Sequence, residues 1–117
     1  MAESKIKPIP NIEVDSGWQE LTDTTKFTRS IYYRKIGKLV QVIADGITFV
    51  SPVTSSFYSI ATLPSGYRPS KTQYASASGD FDSPALMSIG TSGGLGLYLE
   101  KNTSITSFYC DVMFFTD

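Results

Sequence analysis

The sequence predicts an all-β domain, a jelly-roll-like antiparallel β-sandwich of about eight or nine strands. Three observations carry that expectation. Aromatic residues are abundant, with seven Tyr, seven Phe and one Trp in 117 residues, and together with Ser, Thr and Gly they favour strands and turns. Short β-branched and aromatic runs recur at regular spacing, each bounded by Gly, Pro, Asp, Asn or Ser. No window shows the 3.6-residue periodicity of an amphipathic helix. The length is that of one domain, and 41% hydrophobic with 18% charged residues is ordinary globular composition.

Residues 1–15 read as an extended N-terminal linker or arm, because Pro8 and Pro10 hold the residues before them extended. The domain proper is expected over 16–117. "GWQEL" opens it as a short strand carrying Trp18. "FTRSIYYRKI" and "KLVQVIADGITFV" then form a hairpin through Ile36-Gly37-Lys38, where glycine supplies the positive φ of a tight connection. "FYSIATL" delivers the chain into "LPSGYRPS". That stretch reads as an architectural corner: Pro64 at the second position of a type I turn, Gly66 closing it, and Pro69 holding Arg68 extended. Arg68 is expected to reach solvent or meet a carboxylate.

"TQYASAS", "ALMSI" and "LGLYLE" follow as strands, and in the third Leu95, Leu97 and Leu99 alternate with a wetter face. The final run, "SITSFYCDVMFF", is apolar on both faces. Phe108, Cys110, Val112 and Phe114 share one side; Tyr109, Met113 and Phe115 share the other with Asp111. Both faces need cover, which is expected to come in part from a neighbouring subunit.

Several chemistries are excluded or disfavoured. The chain has no histidine, which removes Ser-His-Asp and Cys-His apparatus and imidazole metal ligands. Cys110 is the single cysteine, so no intramolecular disulfide forms, and burial as a small hydrophobe is its expected role. A net charge of −1 offers no electrostatic footprint for nucleic acid, and no apolar run is long enough for membrane insertion. Arg34, Lys35 and Lys38 read as a solvated turn. "TSGGLG" lacks the following helix of a phosphate loop and reads as a hairpin. "GDFDS" lacks the rest of a calcium loop. "NTS" at 102–104 matches a glycosylation sequon. No carboxylate pair stands out for glycoside hydrolysis. Neither enzyme activity, nor a cofactor, nor a metal is expected.

The corner, the hairpin and their order resemble a known family. "SGWQEL", "YYRKIGKLVQV", "ATLPSGYRPS" and a final aromatic strand are similar to the C-terminal head domains of bacteriophage tail receptor-binding proteins, those of phages and prophages of Gram-positive bacteria in particular. The resemblance spans about residues 16–116. It implies a homotrimer at the tip of a tail fibre or baseplate, in contact with other tail or baseplate proteins. It also implies non-catalytic binding of host cell-wall polysaccharide or teichoic acid, and a virion protein assembled in the host cytoplasm. The N-terminus, which lacks a signal-peptide h-region, agrees with that expectation.

Saccharide sites need aromatic platforms beside hydrogen-bonding groups, on loops or faces of a rigid scaffold. Tyr74, Asp80, Phe81 and Asp82 are the first candidates, with Tyr98 and Trp18 after them. Two other readings fit the same sequence: a purely structural trimeric cap of a fibre tip or baseplate, and a protein-binding module like those of C1q and tumour necrosis factor.

Overall fold

The computed structural model describes residues 14–54, 56–80, 83–100 and 103–116. They form nine strands: β1 (Gln19–Leu21), β2 (Phe27–Thr28), β3 (Ile31–Ile36), β4 (Leu39–Val53), β5 (Phe57–Thr62), β6 (Gln73–Gly79), β7 (Pro84–Ile89), β8 (Gly94–Leu99) and β9 (Ile105–Phe115). No helix occurs among the described residues. The strands make one antiparallel sheet in the order β1-β3-β4-β9-β6-β7-β8-β5, with β2 on the flank of β4. The chain is all-β, and its sheet curls far enough towards a barrel to enclose a core like that of a sandwich. Phe81, Asp82 and Asn102 lie outside the described residues.

Curling brings β5, at one end of the sheet, against β2 and β4. The Lys26 ammonium, beside β2, donates to the Ser59 carbonyl of β5 at 3.1 Å. Phe49 of β4 meets Tyr58 of β5 edge-on at 5.4 Å and stacks on Phe108 of β9 at 5.5 Å. The β5 edge and the end of β4 that carries β2 therefore lean on one aromatic cluster. Around it the interior is filled by Ile31, Val40, Val42, Ile47, Ile60, Met87, Ile89, Leu95, Leu97 and Ile105, all at most 1% exposed. Burial of this kind, at roughly 1.5–3 kcal/mol per large apolar side chain, is the main term holding such a domain together.

The hairpin of β3 and β4 turns at Gly37 and Lys38, with Ile36 paired to Leu39. Gly37 has φ 62° at the first of two turn positions, where a type II′ hairpin favours glycine. The turn between β7 and β8 is also glycine-built: Gly93 donates to the Gly90 carbonyl at 2.9 Å, and Gly90 to that of Gly94 at 3.0 Å. "TSGGLG" is thus a hairpin.

The corner departs from expectation by one residue. Tyr67 N–H donates to the Pro64 carbonyl at 3.2 Å, and Gly66 has φ 94°. Pro64 is therefore the first residue of the turn and Gly66 the third, the position at which a type II turn requires positive φ. Arg68 meets a carbonyl where a carboxylate or solvent was expected. Its Nε donates to Leu63 O at 2.9 Å, while its own carbonyl accepts from the Thr116 hydroxyl at 2.6 Å. Pro69 then bridges to Thr116. Together these contacts tie the corner to the end of the last strand, and the stretch is architecture.

Candidate functional site

The feature that shapes the outer surface is a bulge in β4. Opposite it, Phe108 pairs with Ile47 and Cys110 with Ala44, so Asp45 and Gly46 together face the one residue between, Tyr109. Gly46 takes φ 64°, as a bulge of this kind demands. The inserted residue reverses the alternation: Val40, Val42 and Ala44 point inward before it, Ile47 and Phe49 after it. On the other side of β4, Arg29 and Ser30 bridge β2 and β3 across the same break, and Arg29 adopts φ 70°. That left-handed conformation is costly for a residue with a Cβ, and such outliers gather at functional sites.

Three shallow depressions meet at Asp45. Trp18, Tyr32 and Ile43 line one with it, of about 290 Å³. Arg29, Ser30 and Tyr32 line a second, of about 400 Å³. Ser76, Ser78, Tyr109 and Asp111 help line a third, of about 370 Å³. Three aromatic rings stand exposed along them, Trp18 at 44%, Tyr32 at 41% and Tyr109 at 52%. The Arg29 guanidinium donates to the Asp45 carbonyl at 3.4 Å. Its Nη1 and the Tyr109 hydroxyl lie 3.2 and 3.5 Å from where a Cβ on Gly46 would be. Glycine here leaves the niche in which those two groups sit side by side.

Hydrogen bonds brace the floor. Arg34 contacts Asp15 at 3.5 Å, donates to Gln41 at 3.4 Å, and lies over the Trp18 ring at 4.5 Å. Gln41 in turn donates to the Asp111 carboxylate at 3.5 Å. Trp18 meets Tyr32 edge-on at 6.5 Å. Cys110 lies under this surface, donating weakly to Ser76 O at 3.4 Å. Burial first, and the neighbouring Asp111 second, push its thiol up to about 11, so it stays neutral and is no nucleophile at ordinary pH. No group of three or more potential metal-ligating side chains occurs among the described residues.

The sequence-predicted site residues do not gather in one place. Trp18 belongs to the groove. Tyr74 is exposed on β6, four strands away from Trp18 along the sheet, roughly 20 Å at ordinary strand spacing. Tyr98, on β8, packs against Phe57 at 4.8 Å and lines a separate depression of about 290 Å³ with Leu86 and Glu100. Asp80 follows β6, and its carboxylate is committed to the chain: it accepts from Thr106 N–H at 2.9 Å, the Thr106 hydroxyl at 2.8 Å and Ser107 N–H at 3.4 Å. Desolvation raises its pKa, but the Thr106 amide and hydroxyl outweigh that, and the net direction is below the usual carboxylate value.

Sequence reasoning missed Arg29, Tyr32, Asp45 and Tyr109 as a group. The signal that could have found them is "ADG" in the middle of an otherwise apolar strand, since Asp and Gly there mark a bulge. No family model matches the chain, and no curated protein matches it.

Proposed function

We propose that this chain is the receptor-binding head of a bacteriophage tail fibre or baseplate, and that it recognises host cell-surface saccharide without catalysis. The observation that supports this best is the groove at the β4 bulge, where Trp18, Tyr32 and Tyr109 expose ring surface beside Arg29 and Asp45. Aromatic faces attract the positively polarised C–H groups of a sugar ring through their quadrupole, and a few convergent polar groups fix its orientation. The resemblance of the hairpin and corner to phage heads supplies the biological setting: a virion protein assembled in the host cytoplasm and docked on other tail proteins.

The test is labelling of Gram-positive cells and their purified wall polysaccharide by the fluorescent chain. Wild type is expected to label both, and Tyr109→Ala to label at least about tenfold less while melting at the same temperature, as loss of one stacking platform predicts. Absence of any wall or glycan binding by the folded chain would overturn the reading. A structural tip cap is favoured instead by a different observation, the apolar end of β9, where Met113 and Phe115 are 59% and 71% exposed.

A further inference from the structure

The groove's charge and hydrogen-bonding pattern point to the kind of saccharide it takes, an inference that rests on the receptor-binding reading above. The charged side chains lining the three depressions are Arg29, Asp45 and Asp111. Arg29 shares a depression with Asp45, and Asp45 shares the next with Asp111, so two carboxylates and one guanidinium line the connected surface. Arg34, the next cation, contacts the Asp15 carboxylate at 3.5 Å and covers a Trp18 face, which spends its charge locally.

A phosphodiester only accepts hydrogen bonds. Set beside Arg29 it would meet Asp45 and Asp111 as well, and like charges in a partly desolvated groove repel. A sugar hydroxyl both donates and accepts. It can accept a hydrogen bond from Arg29 or the Tyr109 hydroxyl and donate one to the Asp45 or Asp111 carboxylate. Satisfying this set needs vicinal hydroxyls on an uncharged ring, with the exposed aromatic surface beside them to carry its apolar face.

We infer that the groove at the β4 bulge binds an uncharged saccharide: a hexose-type ring lies on Tyr109, and Arg29 and Asp45 hold a pair of its hydroxyls. Arg29 and Gly46 set its shape. A side chain at position 46 would enter the niche that the Arg29 guanidinium and Tyr109 share. Teichoic acid of the polyol phosphate type is then a poor ligand.

Calorimetric titration of the full chain tests this with two probes: neutral hexose and N-acetylhexosamine oligosaccharides, and a synthetic poly(glycerol phosphate). The expected result is binding of a neutral oligosaccharide whose affinity changes less than about twofold between roughly 0.05 and 0.5 M NaCl. Asp45→Asn and Tyr109→Ala each weaken it about tenfold or more, with melting temperature unchanged. Binding of poly(glycerol phosphate) alone, falling steeply with salt, overturns this inference and leaves receptor binding standing. Neutral binding that survives both substitutions places the sugar elsewhere and also overturns it. Failure of both probes and of cell labelling overturns the receptor-binding reading itself.

Discussion

Asp80 shows how a residue that reads as a ligand-binding acid can be a structural one. Its carboxylate accepts three hydrogen bonds from Thr106 and Ser107, pinning the start of β9 to the end of β6. Because those bonds favour the ionised form, its pKa lies lower in the fold than that of an ordinary aspartate. A depressed carboxylate stabilises the fold above its unfolded pKa, and that stabilisation is lost as pH falls through the folded value. Asp80→Ala is therefore expected to lower stability at neutral pH by about 1 kcal/mol, and to flatten the decline of wild type below about pH 4. Urea midpoints measured from pH 7 to 2 check both. Equal acid sensitivity in the two proteins would assign the decline to other carboxylates. Asp23, held down by its Thr25 hydrogen bond, is the next candidate.

At the scale of elements, the strands were legible and their phase was not. "LGLYLE" reads correctly because β8 is regular: Leu95, Leu97 and Leu99 are buried and Tyr98 is exposed. The 15-residue β4 cannot be read that way, since its bulge shifts the inward set from even to odd numbers. The corner makes a sharper prediction. Gly93 has φ 92°, and a Cβ there would lie 2.5 Å from the Leu63 carbonyl oxygen and 2.8 Å from Arg68 Nε. Gly93→Ala therefore combines left-handed backbone strain with displacement of the Arg68 contact to Leu63. The expected cost is about 2–4 kcal/mol, read as a shift in the denaturant midpoint. Gly17→Ala is the control, because φ there is also positive, 74°, with nothing within 4 Å. It isolates the strain from the clash.

Across the whole molecule, the outer face of β9 is the outstanding feature. Phe108, Cys110 and Phe114 fill the interior, Cys110 as expected, while Tyr109, Met113 and Phe115 stand in the open. Assembly as a homotrimer, which the resemblance to phage heads implies, would cover the Met113 and Phe115 end and leave the groove at Tyr109 reachable. Light scattering is then expected to give close to three times the chain mass of 12.8 kDa. Met113→Glu combined with Phe115→Glu should return a monomer with the same far-ultraviolet circular dichroism, because both side chains already face outward. A wild-type monomer would remove the trimer from the proposal.

What the sequence by itself determined is the all-β class, the hairpin at Gly37, the glycine-built turn before β8 and which residues of the last strand share a face. Those depend on local chemistry: turn residues, β-branched runs and the two-residue period of a strand. Tertiary structure decided the groove. Arg29, Tyr32, Asp45 and Tyr109 come from three strands and one connection, and they meet because β3 and β9 flank β4 on either side of a one-residue bulge. The pairing of β9 with β4, far apart in the chain, leaves no local signature. The single clue, Asp45-Gly46 inside an apolar run, marks where the strand bends but not which side chains the bend brings together.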